Sequence, residues 1–229
     1  MKNLVFHTSP MNCKYCNQPC IKKGLRNGLQ QFYCKHCRKY QRATYIRRSL
    51  STAEQDCLVK LIRKGVSIRG IGYILTISAS SVVRYIRRIS AAIAKPNHAE
   101  YRQVYEVDEM QTYIGSKREV NRVYIMYCIN KATREVISFI VGRRTKENLN
   151  KLVNAVLELS PKRICTDGLN TYRSIISPLL HSVIQYGTNR IERKNLTLRT
   201  DLKRLSRRTI CFSRSLPMLV ACLRIYFWG

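Results

Sequence analysis

The stretch QVYEVDEM, residues 103–110, decides how the second half of the chain is read. Tyr105 and Val107 alternate with Glu106 and Asp108, the two-residue period of a β-strand with one apolar face. Further along, 122–129 and 135–141 are β-type runs of the same kind, so three consecutive strands are expected. A helical pattern over 146–159 follows, then a strand at 163–166 and a short helix near 171–180. A strand at 182–186 and a long helix from about 190 to 207 complete the order.

Three strands in a row followed by alternating helices and strands is the order of an RNase H-like α/β domain, assigned here to residues 101–229. In that arrangement the first and fourth strands lie side by side, which makes Asp108 and Asp167 neighbours and lets the late helix bring Glu192 to them. Carboxylates so grouped suit two hard cations about 3.5–4 Å apart, which can hold the attacking and leaving oxygens of an in-line phosphodiester displacement. Mg2+, or Mn2+ in its place, prefers such oxygen ligands. Each acid also has a plain reading. Asp167 precedes Gly168 and could open a turn; Glu192 could be a first-turn acid favoured by the helix dipole. Glu106 on the same strand face and Glu109 on the opposite face are rivals to Asp108. The grouping carries the assignment.

Residues 11–45 have a different texture. Cys13-x-x-Cys16 and Cys34-x-x-Cys37 are separated by 17 residues, the spacing of two zinc knuckles. Each CxxC turn directs two thiolates inward, and two turns complete a closed tetrahedral four-thiolate site of structural kind. A zinc ribbon holding Zn2+ on Cys13, Cys16, Cys34 and Cys37 is expected, with Cys20 and His36 as spare ligand types that stay outside it.

Residues 46–95 read as an all-α helix-turn-helix. Ser51-Thr52-Ala53-Glu54 is a capping box opening a helix to about Lys64. A short second helix near 68–75 follows, then a turn at Thr76-Ile77-Ser78. In the third helix Val82, Ile86, Ile89 and Ile93 form an apolar stripe. Ser80, Ser81, Arg84, Tyr85 and Arg88 are expected to face outward, as a DNA-reading helix requires. Lys95-Pro96-Asn97-His98 breaks the pattern and reads as a linker.

The composition agrees. With 42 Lys and Arg against 13 Asp and Glu, the formal charge is +29, which points to a polyanionic partner; a nucleic-acid-coating protein would share that composition. No apolar run approaches the roughly 20 residues of a membrane span, and residues 1–10 lack a signal-peptide core. A bacterial cytoplasmic, nucleoid-associated location without membrane contact is expected. There the ten cysteines stay reduced, and Cys57, Cys128, Cys165, Cys211 and Cys222, set in apolar runs, read as small core residues.

Longer motifs carry a resemblance. Cys13-x-x-Cys16, Cys34-x-His36-Cys37-Arg38-Lys39, Val107-Asp108-Glu109-Met110 and Thr166-Asp167-Gly168 are joined by Asn189-Arg190-Ile191-Glu192-Arg193-Lys194-Asn195-Leu196-x-Leu198-Arg199-Thr200. The last continues into Lys203-Arg204-Leu205 and Thr209-Ile210-Cys211-Phe212-Ser213. Over residues 11–229 the chain resembles the IS1-type insertion-sequence transposases, in the fused form that unites both halves. The resemblance implies a DDE catalytic domain with Asp108, Asp167 and Glu192 as its acids. It also implies Arg199, seven residues after Glu192, as a basic residue near the scissile phosphate. Arg193, Lys194, Lys203 and Arg204 are expected DNA contacts on the same helix. The activity expected is binding of terminal inverted repeats, strand cleavage and transfer of 3′-hydroxyl ends into double-stranded target DNA, by a homodimer or higher oligomer. A non-enzymatic DNA-binding regulator and an RNase H-like nuclease without strand transfer are the alternatives.

Overall fold

The computed structural model describes residues 11–26, 28–43, 49–97, 101–209 and 211–229, in two compact units that divide between Ser49 and Leu50. The boundary expected at 45/46, together with His98 and Ile210 of the quoted motifs, lies outside the described residues.

The first unit is one antiparallel sheet. Strands β1 (Met11–Asn12), β2 (Pro19–Arg26), β3 (Leu29–Cys34) and β4 (Tyr40–Arg42) lie in chain order. Each CxxC segment is a tight turn closed by backbone bonds, Cys13 N–H to the Gln18 carbonyl at 2.7 Å and Cys34 N–H to the Lys39 carbonyl at 3.0 Å. In both turns the residue after the second cysteine takes a left-handed conformation, Asn17 at φ 58° and Arg38 at φ 56°. This curls the chain so that both sulfurs of a knuckle face the same side. Gln41, 2% exposed, staples the sheet: its Oε1 accepts from Lys14 N–H at 2.9 Å, and its Nε2 reaches Cys20 Sγ at 2.9 Å.

The second unit begins with three helices, α1 (Thr52–Arg63), α2 (Ile68–Ile74) and α3 (Ala79–Ala92). The Ser51–Glu54 capping box is formed in full, and Ser78 caps α3 by accepting from Ser81 N–H at 3.1 Å. Tyr85 corrects an expectation. It is buried, not outward-facing, because its ring completes the helical core and its hydroxyl accepts the Leu50 N–H at 2.7 Å.

A five-stranded sheet follows, ordered β7-β6-β5-β8-β9. Strands β5 (Val104–Tyr113), β6 (Arg122–Asn130) and β7 (Val136–Gly142) are antiparallel, while β8 (Arg163–Cys165) and β9 (His181–Ser182) run parallel to β5. Both faces are covered, and the period of two sorts the side chains between them. Tyr105, Val107, Met126, Cys128 and Ile137 pack on helix α4 (Lys146–Leu157) and on Tyr172 of the four-residue helix α5 (Asn170–Arg173). Met110, Ile125, Tyr127 and Ile129 pack on α6 (Asn189–Asp201) and α7 (Leu216–Trp228).

Several element bounds differ from expectation. The last strand is two residues and α5 is four. The long helix ends at Asp201 instead of near 207, because the turn after α1 packs against its end. A Cβ on Gly65, which sits at φ +68°, would lie 2.1 Å from the Asp201 carbonyl oxygen. Cys211 is exposed, not a core residue. Helix α7 was not foreseen. Its Met218, Ala221, Cys222 and Ile225 enter the core of α1–α3, while Leu219 and Leu223 enter the core beneath the sheet. A helix that is apolar all round shows no amphipathic period, so its sequence registers only as a hydrophobic run. It makes residues 50–229 a single packed body.

Candidate active site

The site is built on neighbouring strands. In the parallel β5–β8 pair, Glu106 lies opposite Cys165, so two residues on, Asp108 and Asp167 emerge at the same level. Strand β8 stops at Cys165, which leaves the edge of β5 bare at 108–109. Beyond that edge side chains from both faces of β5 can meet. Carboxylate oxygens of Asp108, Glu109 and Asp167 all lie within 4.8 Å of one another.

Each carboxylate is held. Asp108 Oδ1 accepts from Glu109 N–H at 2.8 Å, and its Oδ2 accepts from Asn195 Nδ2 at 2.6 Å. Asn195 is fixed in turn by the Tyr127 hydroxyl, which donates to its Oδ1 at 2.8 Å. Glu109, on the opposite face, takes the hydroxyl hydrogen bond of buried Tyr172. Asp167 stands exposed, its Oδ1 accepting Leu169 N–H at 3.1 Å, and Gly168 beside it adopts φ +85°. Burial, with the charges of Glu109 and Asp167, pushes Asp108 up to about 7 against the lowering pull of its hydrogen bonds; burial raises Glu109 as well. Carboxylates this close, with Asp108 and Glu109 poorly solvated, favour a cation among them. The acid cluster thus fits a divalent metal, for which Asp108, Glu109 and Asp167 are the groups brought together.

Glu192 is not in that cluster. It lies exposed in the first turn of α6, accepting the Thr188 hydroxyl at 2.7 Å. It precedes Asn195 by three residues and so shares the helix face that touches Asp108. Glu106 is set apart from the chemistry: fully buried, it lies 3.1 Å from the Lys131 ammonium and accepts Ile191 N–H at 2.7 Å, docking the start of α6. Asn195 and Tyr127 were missed by sequence reasoning, although Asn195 follows Glu192 at helical spacing and Tyr127 lies opposite Asp108 in register.

The basic residues divide. Arg199 donates to the Leu205 carbonyl at 3.3 Å from a half-buried position. Lys194 is bound to the Arg134 carbonyl at 3.0 Å, and Arg204 to Ser213 Oγ at 3.1 Å; Arg193 and Lys203 are exposed. On α3, Ser80 and Arg84 are exposed and Ser81 is half-buried. Arg88 is occupied, donating to Gln55 Oε1 at 3.0 Å with its guanidinium 4.6 Å from the Tyr85 ring centre.

In the first unit, sulfur atoms of Cys13, Cys16, Cys34 and Cys37 all lie within 4.8 Å of one another, with Cys13–Cys37 at 3.4 Å and Cys16–Cys34 at 3.5 Å. A tetrahedral zinc with bonds of about 2.3 Å sets sulfurs about 3.8 Å apart, so the four thiols fit one. Cys20 is outside the cluster.

Residues 103–226 match the family model described as IS1 transposase. The chain belongs to the IS1 transposase family. The insertion element iso-IS1n protein InsB of Shigella dysenteriae is 35% identical over 115 residues, 50% of this chain and 86% of that one. The insertion element IS1 protein InsB of Shigella flexneri is 33% identical over 113 residues, 49% of this chain and 85% of that one. A solved structure, the simian T-cell lymphotropic virus intasome with the PP2A regulatory subunit B56 gamma, is similar at a TM-score of 0.39 and 15% identity. That likeness covers 66% of this chain and 62% of that one. The family match spans the acid cluster of this IS1-family chain, Asp108, Glu109 and Asp167, and the family implies a divalent metal. No helix among the described residues is long and apolar enough to cross a membrane.

Proposed function

We propose that this chain binds the terminal inverted repeats of its own insertion element, cleaves one strand at each end and joins the freed 3′-hydroxyls to target DNA. The observation that carries the proposal is the meeting of Asp108, on β5, with Asp167, two residues past the end of the parallel neighbour β8, within a family-matched segment of a +29 chain. The sheet order β7-β6-β5-β8-β9 supports an RNase H-like reading of residues 101–229, and the capped trio α1–α3 supports a helix-turn-helix. Structural Zn2+ on the four thiolates and Mg2+ or Mn2+ on the acids are the implied metals.

In this reading Asp108, Glu109 and Asp167 would hold divalent cations, whose Lewis acidity would stabilise charge on the phosphoryl oxygens, and Glu192, outside that cluster, would reach them by a side-chain turn from the face it shares with Asn195. Asn195 keeps one oxygen of Asp108 directed, and Arg199, one turn further along α6, holds a phosphate of the strand that enters the acid centre. In the first step water attacks the phosphodiester, forming one P–O bond and breaking another to release a 3′-hydroxyl. That hydroxyl then attacks a target phosphodiester in the same exchange. Two ends must be held together, so the active complex is at least a dimer.

A strand-transfer assay with pre-cut ends of the element tests this. Joined product that disappears with Asp167→Asn is expected; cleavage without any joining would leave a nuclease, and neither activity with intact binding would leave a regulator. In the same preparations Arg84→Ala should relax end preference by about 1–3 kcal/mol at one position, since Arg84 has no acceptor among the described residues while Arg88 is occupied.

Zinc is expected at one equivalent per chain. Apart from Cys13 and Cys34, the buried side chains among the described residues of the first unit are those of Phe32 and Gln41, too small a core to fold these residues without a metal. Cys16→Ser or a strong chelator should abolish the ordered amide spectrum of residues 11–43 and weaken DNA binding. A dispersed spectrum in zinc-free protein would refute the site.

A further inference from the structure

Between the far end of β5 and the segment after α6 lies a cavity of about 260 Å3, lined on its cationic side by Lys117, Arg199 and Arg207 and elsewhere by Gln111, Tyr113 and Phe212. Among the described residues no carboxylate lines it. Lys117 and Arg207 have no acceptor among the described residues, and Arg199 gives one hydrogen bond to Leu205, leaving donors of its guanidinium fork unassigned. Three cations converging without an acid is an arrangement that an anion would relieve. The half-buried rings of Tyr113 and Phe212 meet edge to face at 6.1 Å, so an aromatic surface stands beside the cations. The wall is framed by backbone: Ile114 bridges to Ser213, and Gly115 N–H donates to the Ser213 carbonyl at 2.8 Å. Arg204, bound to Ser213 Oγ, braces the same corner.

We propose that this cavity takes a single nucleotide of DNA, its phosphodiester held by Lys117, Arg199 and Arg207 and its base stacked on Phe212. The inference rests on the reading of the chain as a DNA transposase. Tyr113 lies five residues beyond Asp108 on β5, about 17 Å along a strand, and Arg199 lies one turn beyond Asn195 on α6. The nucleotide therefore belongs to the strand that enters the acid centre, displaced from the cut bond. A stacked base resists being drawn along the groove, so the pocket sets how far the strand advances past Asp108.

Binding of single-stranded oligothymidylate to the full-length protein, followed by fluorescence anisotropy against an abasic oligonucleotide of equal length, tests this. Phe212→Leu should weaken oligothymidylate about tenfold, the effect of one lost base–aromatic stack, with abasic binding unchanged. Phe212→Tyr should bind like the unaltered protein, which separates stacking from a folding defect. Lys117→Gln and Arg207→Gln should weaken both oligonucleotides and lower the salt slope by about 0.7 each; Lys162→Gln, exposed on another surface, should not. Inorganic phosphate competing as well as the abasic oligonucleotide, or Phe212→Leu lowering both oligonucleotides equally, overturns the proposal. Cleavage lost in Asp167→Asn while these pocket effects are missing would refute the nucleotide site and leave the transposase reading standing. Pocket effects seen with cleavage unaltered in Asp167→Asn would do the reverse.

Discussion

Asp108→Asn is expected to slow metal-dependent strand cleavage about a thousandfold and, without metal, to change how stability depends on pH. The side chain is close in shape and still accepts the Glu109 N–H, so binding of the element's ends should be nearly unaltered. In the folded chain, burial and the neighbouring carboxylates put Asp108 at about 7 against its ordinary 3.8. A carboxyl raised on folding favours the fold while protonated. That contribution is complete below about pH 4 and is lost as pH rises through 7. The melting temperature of the unaltered protein, minus that of the variant, should therefore fall between pH 4 and pH 7 in the absence of divalent ions. Saturating Mn2+ should remove this difference in slope, because a cation replaces the proton. Parallel curves for the two proteins would show that Asp108 is not the strained group, and unchanged cleavage would remove it from the site.

Glu106→Ala is expected to cost about 3–5 kcal/mol of stability, as when one partner of a buried ion pair is removed. On a unit of this size that lowers the melting temperature on the order of 10 °C. The carboxylate is fully buried, faces Lys131 at 3.1 Å and accepts Ile191 N–H at 2.7 Å. Alanine leaves the ammonium with the Gly187 carbonyl at 2.8 Å and strands a helix N–H. Glu106→Gln keeps an oxygen for Ile191 and should lose less. Thermal unfolding gives the ranking, and cleavage by Glu106→Gln below its transition separates Glu106 from the chemistry. If the glutamine variant were fully stable yet inactive, Glu106 would have to be counted among the metal-binding acids.

Much of the site was legible because its signals are local. Alternation around Tyr105–Asp108 marked the strand, and Ser51 with Glu54 marked the first helix. Paired CxxC spacing marked the thiol cluster. What escaped depends on where other elements end. Glu109 points away from Asp108 on an ideal strand, yet it joins the cluster because β8 stops at Cys165, a boundary that periodicity does not give. Tyr85 looked like a polar recognition residue, since a phenol fits either surface or core; the Leu50 N–H that captures its hydroxyl lies outside the helix. Asn195 carries no local signal of its role because its partner, Asp108, is 87 residues earlier in the chain.

Helix α7 adds a mechanical consequence. Since it belongs to the cores of both the α1–α3 trio and the sheet, the outer face of α3 and the acids are parts of one gauge whose length is fixed on folding. On the proposed reading, the bond that is cut is chosen by counting from the bases read. One base pair inserted between them turns the scissile phosphate about 34° around the duplex axis. Five insertions present the opposite side of the double helix, and about ten restore the facing with the bond one turn out of reach.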